Sequence, residues 1–534
     1  MKNLFIKFMV LLVMASLGTS CQKKVNDWDV DPSHDRLFKS LTFAVATTEA
    51  TSVVLRYTKS TAANKYIFEF SKDSLEFGKI VRTVEILADT LTPFAKSPTP
   101  TRVEYRTAFD DLDGTSGYSV RMKSVDTVTG SESKYSQLYF ETPAEQLFQR
   151  WEESTDHIQM YWVPTDRITH IMVSDPVTGA ALKKVTITQG DKQKGSVDIT
   201  GLSPGTNYQI VIYNGEVVRG TKVLKTSGLA GAVIVPVSPG DDIAALVADA
   251  VQHGKPSVTL LFKGGGSYDI GSLTLPAGLS SISFTGDHEV SGTTALPATL
   301  NISEVRLTDL IFGKMIFEKV KLIGGTGDFL INLADDNTQI ESYSFDNCII
   351  KDYRSVVRIQ KKLIKLKQIK IENSILENTG GYGVINVGGA SVTLDSIKIT
   401  NNTMVDISTQ LMDVRSTVGG IIVNNNTIYN QASALTQLIR LDKNNLPSFF
   451  EAANNIIAGT NSGAPMKSFS LSYEGSFAGS YRTSEMEISQ DFPEITMFSG
   501  SSTDLFVDPE GGDFTIKPAS GFGGIGTAGD PRWW

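Results

Sequence analysis

Cysteine, histidine and long basic or apolar runs are all scarce in this chain of 534 residues. Two cysteines cannot build the multi-disulfide framework of a small secreted scaffold, so packing and backbone hydrogen bonds must stabilise the fold. A net charge of −9, a pI of about 5.3 and the lack of a basic run argue against a nucleic-acid partner. The remaining composition, 41% hydrophobic and 20% charged, is typical of a folded protein, and the length predicts about two to four domains.

The most apolar run, FMVLLVMASLG, follows Lys2 and Lys7 and is succeeded by TSC, which ends at Cys21. It is too short for a comfortable membrane span, and its flanks are typical of an export signal. The segment resembles a bacterial lipoprotein signal, which implies that residues 1–20 are removed and that Cys21 is lipidated. We therefore expect an exported protein, anchored by lipid to the outer membrane and exposed at the cell surface, with 21–37 as a polar tether. Plain secretion with cleavage near Ser20 is the alternative.

Residues 38–142 and 143–228 show alternating, turn-rich β patterns that predict two sandwiches. LDGTSGYSVRM and LSPGTNYQIVI each place a leucine six residues before a tyrosine, Tyr118 and Tyr208. A strand-entry tyrosine whose hydroxyl bonds back to the preceding turn is the tyrosine corner of Ig-like sandwiches. The segments resemble fibronectin type III domains, with Trp162 as a core residue. Fold alone gives no function, and such modules serve as spacers more often than as ligand binders.

From 229 to 534 the pattern changes to one amphipathic helix followed by many short strands. DDIAALVADAVQHG predicts a helix with Asp241 or Asp242 as N-cap and Gly254 at its end. Asparagines then recur every 24 to 29 residues in FDNCII, IENSIL, TNNTMV, NNNTIY and AANNIIA, aligned at Asn347, Asn373, Asn402, Asn426 and Asn455. A period in the mid-twenties with strand and turn signals alone predicts a parallel β-helix.

Asparagine tolerates the left-handed backbone of a coil corner, and amides stacked one coil apart can bond to one another. The residue after each aligned asparagine is then predicted to face inward. These residues are Cys348, Ser374, Thr403, Thr427 and Ile456. Cys348 is therefore interpreted as a core residue and not as a nucleophile.

The repeats, the preceding helix and the ending VDPEGGDFTIKPASGFGGIGTAGDPRWW resemble the pectate-lyase-like right-handed β-helix superfamily. With the signal and the fibronectin-like modules, the chain resembles domain-of-unknown-function lipoproteins encoded with bacterial pectin and glycan uptake systems. The resemblance implies an all-β fold, with two Ig-like or fibronectin type III sandwiches followed by a right-handed parallel β-helix with a short N-terminal capping helix. It also implies a polysaccharide partner, and other glycan-uptake proteins as further partners.

Polygalacturonase-type β-helices use three aspartates, a histidine and an Arg-x-Lys motif. All five histidines of this chain precede residue 300, which excludes that site in the later coils. A different polar ladder is predicted about a dozen residues after each asparagine. Its members are Asn332, Arg358, Asn386, Asp413 and Arg440, followed two residues later by Ala334, Gln360, Gly388, Arg415 and Asp442.

Arginine binds sugar carboxylates through its planar fork, so the ladder favours binding of an acidic glycan. The candidate binding residues are Arg358, Asn386, Asp413, Arg415, Arg440 and Asp442. The alternative is that the ladder consists of solvated, mutually paired charges and has no binding function. If the face were a lyase site, Arg358 or Arg440 would abstract the proton. Asp335 and Asp336 could hold Ca²⁺, although a solvated turn explains them as well; no other cofactor is expected.

The preferred hypothesis is a surface lipoprotein that binds acidic plant polysaccharides such as pectin. The alternatives are a polysaccharide lyase acting on uronate-containing glycans and a structural or adhesion protein. Tyr353, Tyr382 and Tyr429 are expected near the coil corners, where aromatic rings could stack on sugars. Trp533 and Trp534 are expected to pack at the end of the β-helix. The stretch Thr460–Ser502 breaks the period and predicts an extra hairpin or loop over one face.

Overall fold

The computed structural model describes residues 36–94, 103–288, 296–432, 435–461, 465–473, 475–489 and 495–534. The predicted export signal, the predicted lipidation site Cys21 and most of the predicted tether lie outside these ranges. Within them, no helix has the length and apolar character needed to span a bilayer. Two compact units make up the chain: one runs to Leu147 and includes Ile212–Gly220, and the other comprises Phe148–Val211 and Thr221–Trp534.

The first sandwich has two antiparallel sheets, with strand orders β1-β2-β5 and β4-β3-β6-β7. Its strands are β1 Phe43–Thr48, β2 Val53–Thr58, β3 Lys65–Ser71, β4 Ile80–Leu87, β5 Glu104–Phe109, β6 Gly117–Val125 and β7 Ser136–Glu141. Alternate residues of β2 and β3 face a core rich in aromatic rings. The Tyr118 hydroxyl accepts a hydrogen bond from the Asp113 amide at 2.9 Å, which confirms the first tyrosine corner.

The second sandwich has sheets with strand orders β12-β9-β8 and β11-β10-β13-β14. Its strands are β8 Phe148–Glu153, β9 His157–Trp162, β10 His170–Ser174, β11 Ala181–Thr186, β12 Ser196–Thr200, β13 Asn207–Asn214 and β14 Val217–Lys225, with helix α1 Gln189–Lys194 before β12. The Tyr208 hydroxyl accepts a hydrogen bond from the Ser203 amide at 2.8 Å, and Trp162 is buried. Both features agree with the fibronectin-like pattern.

Helix α2, Ile243–Gln252, follows the first strand of a β-helix of about nine turns. The Asp242 carboxylate accepts from the Ala245 amide at 3.0 Å and caps the helix, whose apolar side is buried through Ile243, Val247 and Ala250. Gly254 follows the helix with φ of 71°, the left-handed conformation common after a helix end. The predicted capping helix is therefore present, with Asp242 as its N-cap.

Parallel strands of the β-helix form three faces. Face A contains β15 Val233–Val237, β16 Ser257–Phe262, β18 Ser281–Gly286, β20 Ile311–Glu318, β23 Thr338–Asp346, β26 Ile364–Glu372, β29 Val392–Thr400, β32 Thr417–Asn424 and β35 Phe449–Glu451. Face B contains β21 Val320–Ile323, β24 Ile349–Lys351, β27 Ile375–Glu377, β30 Thr403–Val405, β33 Thr427–Asn430, β36 Ile456–Gly459, β38 Tyr481–Arg482 and β39 Thr496–Met497. Face C contains β22 Phe329–Leu333, β25 Ser355–Ile359, β28 Ile385–Val387, β31 Thr409–Val414, β34 Leu435–Leu441 and β37 Lys467–Phe469.

Faces B and C meet at β19, Ala298–Arg306, which pairs with β21, with β22 and with β17, Ser267–Thr274. Inside the coils, equivalent residues stack on one another. Phe262, Phe284, Phe317 and Phe345 form one such stack, with successive ring centres 6.3, 4.7 and 5.1 Å apart. The all-β fold class predicted from the sequence, two sandwiches followed by a parallel β-helix, is confirmed.

The corner between faces A and B carries the predicted asparagine ladder, with a corrected register. The left-handed positions, with φ of 49° to 59°, are Asn347, Asn373, Asn401, Asn425 and Asn454, and Lys319 takes this position one coil earlier. The next residue of each coil faces inward: Cys348, Ser374, Asn402, Asn426 and Asn455, all buried. The side-chain amide of Asn402 donates to Asn426 Oδ1 at 3.0 Å, and that of Asn426 donates to Asn455 Oδ1 at 3.0 Å.

In the last three coils the predicted inward residues were therefore one position late. Thr403, Thr427 and Ile456 lie on the outer side of face B, where the C-terminal segment covers them. Asp530 accepts from the Thr403 hydroxyl at 2.8 Å, and its amide donates to the Thr427 hydroxyl at 3.0 Å. Cys348 is fully buried in the inward stack, as predicted, and burial raises the pKa of its thiol.

The C-terminal segment contains α3 Ser502–Leu505, β40 Phe506–Asp508 and β41 Asp513–Ile516, which pair as a small hairpin. The preceding stretch, Thr460–Ser502, was predicted to form an extra hairpin or loop. Its described residues instead continue the coils, because β37 pairs in parallel with β34, β38 with β36, and β39 with β38. The prediction of a hairpin over one face is therefore wrong for this part of the stretch.

The second sandwich joins the β-helix through buried polar contacts. The Gly228 amide donates to Glu318 Oε2 at 2.7 Å, and the Leu229 amide donates to Thr259 Oγ1 at 3.1 Å. Lys319 donates to the Glu153 carbonyl oxygen. Burial is the main cause that raises the pKa of Glu318 to about 7, while the Gly228 hydrogen bond opposes this shift.

Candidate functional site

The predicted polar ladder lies on face C in the predicted register. Asn332 pairs with Arg358, Arg358 with Asn386, Asn386 with Asp413, and Asp413 with Arg440 in successive parallel strands. Side chains alternate along a strand, so the buried apolar neighbours of each ladder residue fill the core while the ladder residue takes the outer side. Neighbouring coils are separated by about 4.8 Å, which lets these side chains contact each other.

Asp413 is the centre of the ladder, and only 2% of its surface is exposed. Its carboxylate accepts from Arg415 Nε at 2.9 Å and from Asn386 Nδ2 at 3.2 Å, and Arg440 lies 3.5 Å away. Burial raises the pKa of Asp413, and the two arginines oppose that shift. Since a buried charge requires partners, Asp413 fixes the positions of Asn386, Arg415 and Arg440.

A second group of side chains adjoins Asn386. The Arg358 guanidinium carbon lies 4.6 Å from the ring centre of Phe329 and 5.8 Å from that of Tyr382. The Arg354 guanidinium carbon lies 4.1 Å from the Tyr382 ring centre, and the two rings meet edge to face at 6.0 Å. Within the ranges that the structure describes, no carboxylate lies within 4 Å of either arginine. We call Phe329, Arg354, Arg358 and Tyr382 the arginine–aromatic cluster.

A glycine-rich loop between β27 and β28 positions Tyr382. Gly380 and Gly383 have φ of 100° and 90°, values that side chains strongly disfavour. The Tyr382 amide donates to the Arg354 carbonyl at 3.1 Å, and the Asn386 side chain donates to the Tyr382 carbonyl at 3.0 Å. The loop therefore holds the ring beside the arginines, and 38% of the tyrosine remains exposed.

The other sequence candidates lie apart from this cluster or serve local structure. Asp442 follows β34 and accepts from the Asn444 amide at 2.9 Å, so it stabilises its own turn. Asp336 accepts from the Leu363 amide at 2.8 Å, which lowers the pKa of its carboxyl. Among the described residues, no group of three or more histidine, cysteine, aspartate or glutamate side chains is placed to hold a metal ion.

Of the three corner tyrosines, Tyr382 alone is at the surface. Tyr353 is 1% exposed and donates to the Ile302 carbonyl at 2.5 Å, and Tyr429 is covered by the C-terminal segment. The expectation that all three could stack on sugars is therefore wrong for Tyr353 and Tyr429. Trp533 packs against Phe514, and its indole N–H donates to the Thr403 hydroxyl at 2.7 Å.

Sequence reasoning did not identify Phe329 and Arg354. A signal was present, because Arg354 lies one coil after Asp328 and one coil before Tyr382 at the position where the chain enters face C. Aligning this position as well as the strand centres would have brought them together. Face C thus carries two neighbouring pairs of arginines: Arg354 and Arg358 rest on aromatic rings, and Arg415 and Arg440 contact the buried Asp413. Such a surface can bind carboxylates through guanidinium forks and can stack a ring on Tyr382.

Arg440 lies 3.5 Å from the Asp413 carboxylate, so its guanidinium already faces an anion. Arginine is in any case the side chain least easily deprotonated. The geometry therefore suits anion binding better than a lyase reaction.

Comparisons with known proteins match parts of the chain. Residues 266–407 match a domain of unknown function (DUF4957), and residues 421–533 match another (DUF5123). No curated protein matches the chain. A segment of two fibronectin type III domains from chicken tenascin is 17% identical, covering 35% of this chain and 99% of that segment, with a TM-score of 0.22. Fibronectin domains 1–3 of chicken CNTN1 are 14% identical, covering 37% of this chain and 70% of theirs, with a TM-score of 0.16.

Proposed function

We propose that this protein is an exported, lipid-anchored polysaccharide-binding protein whose face C holds acidic glycans such as pectin. The observation that carries the proposal is the arginine–aromatic cluster beside the buried Asp413. The export signal and Cys21 support membrane anchoring, and the fibronectin-like modules would act as spacers that hold the β-helix away from the membrane.

The chemistry of the cluster fits a uronate sugar. A sugar ring offers an apolar face to Tyr382, and its carboxylate offers two oxygens to a guanidinium fork. Arg354 and Arg358 rest against aromatic rings, which limits their rotamers and reduces the entropy lost on binding. Arg415 and Arg440 extend the polar surface along the next coils, so a linear chain can contact several coils at once.

Polygalacturonate provides the test, with binding measured by affinity gel electrophoresis and by titration. Loss of one charge-assisted contact is worth about 1.5–3 kcal/mol, so Arg358→Ala should weaken binding roughly 10- to 150-fold. Arg354→Ala should have a similar effect, and higher salt should weaken the complex.

Arg150→Ala is a matched control, because Arg150 also lies over a tyrosine, Tyr161, but is paired with Glu152 on the second sandwich. It should bind polygalacturonate like the unmodified chain. Absorbance of unsaturated uronates is followed in the same samples, with and without Ca²⁺. New absorbance that Arg358→Ala abolishes would replace the binding proposal with a lyase. Absence of binding to all uronate glycans would favour an adhesion or structural role.

A further inference from the structure

Face A carries a cleft whose lining differs in chemistry from the arginine–aromatic cluster of face C. Two adjoining cavities of about 550 and 520 Å³ share Glu341, Lys367 and Asp395 in their lining. The second cavity is closed on one side by Lys225 and the segment Gly228–Ala230, where the second sandwich joins the β-helix. The cleft therefore runs across several coils of face A and ends against the sandwich.

Lysines dominate the charges that line this cleft. The lining lysines are Lys225, Lys314, Lys365, Lys367 and Lys370, and the lining acids are Glu341 and Asp395. Lys314 lies 3.4 Å from Glu341, and Lys370 lies 2.5 Å from Glu372. Over the part of the chain that the structure describes, Lys365 and Lys367 have no carboxylate within 4 Å, whereas Lys225 interacts electrostatically with the buried Glu318. The cleft is thus locally positive in a chain whose net charge is −9.

The strand register places a further lysine, Lys398, next to Lys370 of the cleft. Lys370 and Lys398 stand directly opposite each other in neighbouring strands β26 and β29. Like charges in this arrangement destabilise a sheet. Lys370 has the Glu372 carboxylate, whereas Lys398 has no carboxylate within 4 Å among the described residues. A bound anion would offset the repulsion between the two ammonium groups.

Small hydrogen-bonding side chains form the floor between the lysines. One register position of face A holds Ser342, Gln368 and Ser396 in three successive coils. Lys314 occupies the same position one coil earlier. Gln368 Nε2 donates to the Ser396 hydroxyl at 3.3 Å, and Ser344 lies in the neighbouring row beside Lys370. Hydroxyl and amide groups can donate to the oxygens of an anion, and the lysine ammonium groups supply charge.

The lining residues also indicate which anion fits. Among the described residues that line the cleft, Phe312 is the single aromatic one, and it is 5% exposed. The described lining therefore offers no exposed ring on which a sugar could stack. A lysine ammonium acts as a compact point charge and does not match the planar fork of a carboxylate as arginine does. We propose that this cleft is a second binding site, for polysaccharides that carry sulfate or phosphate esters. It is independent of the acidic-glycan site on face C.

The test is titration of the chain with dextran sulfate and with a phosphate-bearing mannan, with unmodified dextran as the uncharged comparison. At least one charged glycan should bind, and Lys365→Ala/Lys367→Ala should weaken that binding tenfold or more. The slope of log affinity against log salt should fall by roughly one to two, because two contacts with anions are lost. The arm that binds identifies the ester as sulfate or phosphate.

Lys184→Ala/Lys194→Ala removes the same charge from exposed positions of the second sandwich and should leave binding unchanged. Arg358→Ala should also leave binding of the sulfated or phosphorylated glycan unchanged. Lys365→Ala/Lys367→Ala should still bind polygalacturonate with unchanged affinity. Together these two results would show that the sites are separate. The proposal is overturned if neither charged glycan binds, or if both double variants weaken binding equally. Equal binding of double-stranded DNA, with the same sensitivity to the two lysines, would also overturn it in favour of a non-specific polyanion surface.

Discussion

Asn402→Ala should loosen the β-helix locally, because Asn402 occupies the middle of the inward ladder. Its side chain is fully buried and accepts from the Ser374 amide at 2.9 Å. Its Nδ2 group donates to the Ile371 carbonyl and to Asn426 Oδ1, both at 3.0 Å. Alanine cannot replace any of these three hydrogen bonds, and the Ser374 amide loses its acceptor in a site closed to water.

The expected magnitude follows from those contacts. Leaving one buried amide without a partner costs about 1–3 kcal/mol, and the lost amide–amide bond adds about 1 kcal/mol. The free energy of local opening should therefore fall by about 2–4 kcal/mol. Since 1.4 kcal/mol is a factor of ten, opening should become roughly 30- to 700-fold more frequent.

Cys348 reports this opening directly. Its thiol is fully buried, and its amide donates to the hydroxyl of Ser374, the neighbour of Asn402 in the ladder. In a chain that begins at residue 22, Cys348 is the single thiol, so its rate of modification by a disulfide reagent measures how often the coils open. In Asn402→Ala the labelling rate of Cys348 should rise roughly 30- to 700-fold, provided that the coils reclose faster than the reagent reacts.

Asn401→Gly is the matched control one residue away. Asn401 has φ of 59°, which glycine adopts freely, and its side chain makes an exposed bond to Asn373 at 3.2 Å. Its labelling rate should stay close to that of the unmodified chain. If both variants label at the same rate, the inward ladder does not stabilise the coils as argued here.

Three further predictions concern other parts of the chain. Glu318 binds its proton more tightly when folded than when unfolded, so stability should fall by about 1–3 kcal/mol as pH rises from about 4.5 to about 7. Glu318→Gln should flatten this dependence in thermal unfolding; an unchanged pH profile would contradict the assignment. Tyr208→Phe leaves the Ser203 amide without its acceptor and should cost about 1–2 kcal/mol, seen as faster hydrogen exchange in the second sandwich. Trp533→Ala should speed amide hydrogen exchange in β30 and β33 at least tenfold, because the Thr403 hydroxyl loses the indole that covers it. Exchange at the rate of the unmodified chain would show that this indole does not protect the two strands.

The asparagine doublets show where sequence reasoning stopped. In NNT and NNI motifs either asparagine can take the left-handed corner, and a shift of one residue exchanges the inner and outer sides of the strand. Thr403, Thr427 and Ile456 looked like core residues by composition, and they are indeed buried. What buries them is the C-terminal segment, which follows more than 40 residues later in the chain, and no local pattern contains that contact.

The register of the face C ladder was predicted correctly, unlike that of the asparagine corner, because it depends only on the repeat period and on strand alternation. The five positions from Asn332 to Arg440 align as expected. Their environments did not follow from the sequence. Asp413 pairs with Arg415, the residue that directly follows its own strand β31. Arg358 instead contacts Phe329 and Tyr382 from other coils. Whether an arginine pairs with an acid or rests on a ring depends on side-chain contacts across coils.

The sequence by itself determined the β-helix, the two sandwiches and the capping helix, because strand alternation, turn chemistry and a fixed repeat are local properties of the chain. Tertiary structure decided which side chains meet: the cover over face B, the arginine–aromatic cluster on face C and the lysine cleft on face A. Those surfaces form between residues that are one to several coils apart, or that belong to different domains. Their contacts depend on how the coils stack and on where the sandwich and the C-terminal segment pack against them.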